Sequence, residues 1–73
     1  MKEIEIKDDF IKLGQLLKLA GILYTGSQAK DFLYNNNVIV NGSTENRRGA
    51  KIHPGDIVKT EGYEPIIVKS KKA

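Results

Sequence analysis

Apolar and polar residues alternate along Lys2-Glu3-Ile4-Glu5-Ile6, the period of a short strand with one buried face. The period then changes. Leu13, Leu16, Leu17 and Ala20 fall at i, i+3, i+4 and i+7, one apolar stripe of a helix. Lys12, Gln15 and Lys18 lie on its other side. Asp8 or Asp9 is placed to cap this helix, and Gly21 to stop it. Gly14 costs such a helix about 1 kcal/mol relative to Ala, so close packing is expected there. Thr25-Gly26-Ser27-Gln28 matches a capping box, with Thr25 as cap and Gln28 reaching back. It predicts a second helix over 26–35. Ala29, Phe32 and Leu33 make its core face, and Ser27, Lys30 and Tyr34 the opposite one. Asn36 or Asn37 can end it, because Asn tolerates positive φ.

Val38-Ile39-Val40 reads as a strand, and Asn41-Gly42 as a hairpin turn. The return strand is expected over 43–46. Residues 47–51 form a basic loop. Pro54-Gly55 suits the centre of a type II turn, and further strands are expected over 56–60 and 65–69. The plan is α+β: two packed helices followed by a small antiparallel β-sheet, with a short N-terminal strand. Leu13, Leu16, Leu17, Phe32, Leu33, Val38, Val40, Ile57 and Val58 are the expected core. Tyr24 is expected to be partly buried near the helix junction, and His53 to be a turn residue.

Composition narrows the function. Seventy-three residues allow one domain, 1–73, with a single small core. There is no Cys and one His, so disulfides and thiolate metal sites are excluded and a zinc site is disfavoured. No nucleophile–base pair, P-loop or dinucleotide fingerprint can be assembled. The expectation is a non-enzyme without metal, cofactor or small-molecule substrate. The N-terminus is too charged for a signal peptide, and no apolar run approaches the roughly 20 residues that span a bilayer. A cytoplasmic location without membrane contact is therefore expected.

The net charge of +3 hides an asymmetry. Residues 1–10 carry two cations against four anions. Residues 11–60 carry seven against three, including the adjacent Arg47 and Arg48. The middle of the chain therefore suits an anionic partner.

These residues resemble the S-four RNA-binding domain, also called the αL motif. The carrying pieces are Lys12-Leu13…Leu16-Leu17, Thr25-Gly26-Ser27-Gln28-Ala29-Lys30, Val38-Ile39-Val40-Asn41-Gly42 and Pro54-Gly55-Asp56. The resemblance covers 12–59 and is greatest to a small standalone bacterial branch, often called YaaA-like. It implies binding of structured RNA, with ribosomal RNA or an assembling ribosomal subunit as partner. Four positions depart from the usual pattern. Lys12-Leu13-Gly14 stands where many members have Arg-Leu-Asp, Tyr34 where many have a second basic residue, and Asn36 where many have Gly.

Arg47, Arg48 and Lys51 are the leading candidates, because closely spaced cations can follow a phosphate backbone. Ser27, Gln28 and Lys30 sit at the start of the second helix, where donors and the helix dipole favour phosphate. Lys12 and Lys18 extend the patch along the first helix. Tyr34 is a ring for stacking on a base, and Tyr24 a lesser one. Asn41 serves the turn first and RNA second. The Lys-rich tail, 70–73, is either a phosphate-attracting arm or simply solvated. Two other readings stay open: a protein-interaction module, and a binder of DNA or general polyanions.

Overall fold

The computed structural model describes residues 1–71. Within them lie seven strands and two helices. In chain order they are β1 (Lys2–Ile6), β2 (Ile11–Lys12), α1 (Leu13–Leu19), α2 (Gln28–Asn35), β3 (Val38–Val40), β4 (Ser43–Thr44), β5 (Lys51–Ile52), β6 (Ile57–Thr60) and β7 (Ile66–Ser70). The α+β class is as expected. The plan of helices followed by an antiparallel sheet needs correction.

Five strands form one sheet in the order β1-β7-β6-β3-β4. Its inner pairings are antiparallel, but β1 joins β7 in parallel, with Ile4 opposite Val68. The sheet is thus begun before the helices and finished after them. A second, two-stranded sheet pairs β2 with β5. This pairing occupies residues 11 and 12 with extended backbone, so α1 starts at Leu13 and neither Asp8 nor Asp9 caps it. Lys12 precedes the helix at φ −73° and ψ 144° without a side-chain cap.

The apolar stripe of α1 is the centre of the core. Leu13, Leu16 and Leu17 have no solvent exposure. They meet Ala29 and Leu33 of α2 and one face of the sheet, supplied at every second residue by Val38, Val58, Ile66 and Val68. Each such burial contributes about 1.5–3 kcal/mol. Phe32, Val40 and Ile57 are only half-buried. Ile6, Leu23 and Ile52 complete the core beyond the residues expected there. Lys2 Nζ donates to the Ala20 carbonyl at 3.0 Å, tying β1 to the C-terminal end of α1.

The ends of the helices differ in detail from expectation. Gly21, at φ +80°, stops α1. Only half of the capping box forms. Gln28 Oε1 accepts from the N–H groups of Tyr24 and Thr25 at 2.8 and 3.0 Å. The Thr25 hydroxyl pairs instead with that of Ser27. Asn36 ends α2 in extended backbone rather than at positive φ. Its side chain and that of Asn35 donate to the Phe32 and Asp31 carbonyls, which meets the need that a left-handed cap would have met.

Asn41 and Gly42 turn the β3–β4 hairpin at φ 51° and 87°. The return strand stops at Thr44, because the chain departs toward the basic loop. The other turn, His53 to Asp56, is closed by an Asp56 N–H bond to the His53 carbonyl, with Gly55 at φ +96°. The two turns are linked. Asn41 Nδ2 donates to Asp56 Oδ1 at 2.9 Å, and Asn41 Oδ1 accepts from the Ile57 N–H at 2.9 Å. Asn41→Ala is therefore expected to cost about 2 kcal/mol, from two hydrogen bonds and a strained left-handed backbone. A shift in the urea midpoint checks this, with Asn41→Gly as the variant that relieves only the strain.

Thr60 is buried, and its hydroxyl has no hydrogen-bond partner among the described residues. Thr60→Val keeps the shape and removes the unpaired group. It is expected to raise stability by about 1 kcal/mol, measured by the same unfolding experiment.

Candidate nucleic-acid interface

The basic loop is held by backbone, not by its charges. Gly14 N–H donates to the Arg48 carbonyl at 2.9 Å, and Leu13 N–H to that of Ala50 at 2.8 Å. These bonds use the Leu13 and Gly14 N–H groups, two of the free donors of α1. They also press the loop against the helix. A Cβ on Gly14 would stand 3.2 Å from Ala29 Cβ and 3.4 Å from Arg48 Cβ. This is the close packing that a glycine inside a helix demanded.

The two arginines are not equivalent. Arg47 forks onto Glu45, with Nε–Oε2 at 3.1 Å and Nη2–Oε1 at 3.2 Å. Glu45 also accepts from the backbone N–H groups of Asn46 and Arg47. The Arg47 side chain, through its hydrogen bonds, holds the Glu45 carboxyl below its usual range, and Glu45 raises the Arg47 guanidinium in return. Arg48 is exposed and has no ion pair or side-chain hydrogen bond among the described residues. Its charge is fully available.

Pairing of β2 with β5 sets Lys12 directly opposite Lys51 on the outer face of the two-stranded sheet, while Ile11 and Ile52 face inward. Like charges directly opposite are unfavourable without an anion between them. Lys51 Nζ sits 4.8 Å from the centre of the Phe10 ring, a cation–π contact that steadies it. Lys12, Gly14, Gly26, Arg48 and Gly49 line one shallow depression between the start of α1, the start of α2 and the loop.

The structure thus sets Lys12 beside Arg48 in this depression and opposite Lys51 across the strand pair. Lys30 is exposed on α2, one helical turn beyond Gly26, and Tyr34 follows it at i+4, with 89% of its surface open. Lys18 stands exposed in the last turn of α1, six residues beyond Lys12, or about 9 Å along a helix axis. Its charge there also complements the helix C-terminus. Gln28 turns its oxygen to the Tyr24 and Thr25 N–H groups and Ser27 pairs with the Thr25 hydroxyl, while the Gln28 amide nitrogen makes no hydrogen bond among the described residues. The Asn41 amide spends one N–H and its oxygen on the link to Asp56 and Ile57, and its second N–H makes no hydrogen bond among the described residues. Tyr24 is not partly buried: 85% of its surface is open. Lys72, in the Lys-rich tail, lies outside the described residues.

Phe10 and Glu45 escaped the sequence reading. Glu45 had a signal in its two-residue spacing from Arg47. Phe10 had none, because Lys51 lies 41 positions away and meets it only through the β2–β5 pairing.

A helix pair, a hairpin and a cationic loop joined in this way make a small α+β module, and the S4 domain family model matches residues 4–69. The chain belongs to the S4 domain family. It is similar to "Probable ribosome maturation protein RlbA" of Bacillus subtilis (strain 168), at 47% identity over 60 residues. The aligned stretch covers 82% of this chain and 84% of that protein. Among the described residues, no group of His, Asp and Glu is arranged to hold a metal ion. No helix there is long and apolar enough to cross a membrane.

Proposed function

We propose that the protein is a non-catalytic RNA-binding module that docks on structured ribosomal RNA during maturation of a ribosomal subunit in the cytoplasm. The observation that carries this reading is the meeting of Lys12 and the unpaired Arg48 around one depression, with Lys51 opposite Lys12 on the adjoining strand. Cations whose backbone is fixed by strand pairing or by the bond to Gly14 present a row of phosphate contacts along this edge. Family membership and the name of the Bacillus relative support RNA and the ribosome as partners. Lys30 and Tyr34 extend the surface along α2, with Tyr34 offering a ring where a base is unstacked. Shape and backbone charge would dominate over base sequence.

The test is binding of deproteinised bacterial ribosomal RNA across a salt series. Three phosphate contacts predict log K falling against log salt with a slope of about −2 to −3. Duplex DNA should compete poorly, because its groove shape differs and it lacks the 2′-OH. Recovery of no enriched RNA after crosslinking in cells would sink the reading. Association that survives RNase and high salt would point to a protein partner instead.

A further inference from the structure

We infer that Tyr24, Phe32 and Tyr63 form a stacking subsite for one unpaired nucleobase, in a depression distinct from the cationic one. This rests on the RNA-binding reading proposed above and adds a second kind of contact to it.

Tyr24 and Tyr63 are 85% and 49% exposed, which is a large aromatic area to leave in water. They line a depression of about 360 Å³ with Phe32, Gln28 and Asp31. The Phe32 and Tyr63 rings meet edge to face, with centroids 6.3 Å apart, so the Tyr63 ring is braced. Tyr24 is braced through its backbone. Gln28 Oε1 takes the N–H groups of both Tyr24 and Thr25, which fixes the segment that carries the exposed ring. Rings held open in advance bind with little ordering cost.

The polar groups of the depression say what it takes. The Gln28 amide nitrogen is a free donor. The Asp31 carboxylate has no side-chain partner among the described residues and is acceptor-only. A carboxylate repels a phosphate but accepts from the ring N–H or exocyclic amino group of a base. A donor and an acceptor beside aromatic faces match a base edge, whereas the other depression holds cations and suits phosphate. The two depressions flank the same turn. Gly26 lines the cationic one, and Tyr24, two residues earlier, lines the aromatic one. One RNA strand can therefore place its phosphates on Lys12 and Arg48 and turn an adjacent base onto Tyr24.

The test compares a short oligoadenylate strand with the same strand fully paired to oligouridylate. The chain has three tyrosines and no tryptophan, so tyrosine emission reports stacking directly. The single strand should quench it and the duplex should not. Tyr24→Leu should weaken single-strand binding about 10-fold and leave duplex binding within about twofold. Its ring is exposed, so the fold should be kept, which circular dichroism checks. Arg48→Glu should weaken both. If Tyr24→Leu binds the single strand as the parent does while Arg48→Glu weakens both, the stacking subsite is wrong and the cationic reading stands. Equal loss on both probes with Tyr24→Leu also overturns the subsite. If Arg48→Glu changes neither, the cationic reading falls and takes the subsite with it.

Discussion

Arg48→Glu is expected to weaken binding to ribosomal RNA by about 10- to 100-fold and leave the urea midpoint unchanged. The magnitude is that of one charge-assisted phosphate contact, about 1.5–3 kcal/mol. The fold should be indifferent, because the loop is held through the Arg48 carbonyl and not its guanidinium. The salt slope should become shallower by about one. Arg47 provides the contrast. Its fork is already committed to Glu45, so its positive charge is locally offset before RNA arrives. Arg47→Ala should therefore cost much less affinity than Arg48→Ala, whereas Glu45→Gln should tighten binding slightly by releasing Arg47. Equal losses from the two arginine-to-alanine changes, measured by filter binding at low salt, would show that the Glu45 pair does not persist on RNA.

Gly14→Val should lower stability by about 2 kcal/mol or more and weaken RNA binding at temperatures where the protein stays folded. A branched side chain there meets Ala29 on one side and the Arg48 backbone on the other. Overpacking of this kind costs about 1–3 kcal/mol, a large share of what so small a domain holds. The loop must shift, and Arg48 moves with it. Gly14→Ala is the instructive partner. Its helix gain of about 1 kcal/mol is set against a single tight 3.2 Å approach to Ala29, so a near-neutral change is expected. A parent-like urea midpoint for Gly14→Val would refute the role given to this contact.

These two predictions share a feature: each depends on residues distant in sequence. The elements themselves were legible. The stripe Leu13, Leu16, Leu17 needs only the 3.6-residue period, and all three are fully buried. Asn41-Gly42 and Pro54-Gly55 specify their turns by their own backbone preferences, and both turns form. Gln28 reaches back as its spacing required, although the hydroxyl half of the box went to Ser27. Asp8 and Asp9 looked equally suited to a cap. They fail as caps because β2 pairs with β5 across some forty residues and holds the chain extended until Leu13.

Local chemistry, acting over three or four residues, was enough to place helices, turns, core stripe and the basic middle of the chain. It also sufficed for the family likeness, whose motifs are those same turns and caps. It separated Arg47 from Arg48 only through the two-residue spacing of Glu45 and Arg47, whose fork the structure shows. It could not set Lys12 against Lys51, seat Lys51 on Phe10 or expose Tyr24. Each of those follows from strand register and from the approach of the loop to Gly14, where contacts far apart in sequence form together when the core closes. The reason is physical: charge and ring chemistry reside in the residue, but their availability depends on what the folded chain leaves unpaired.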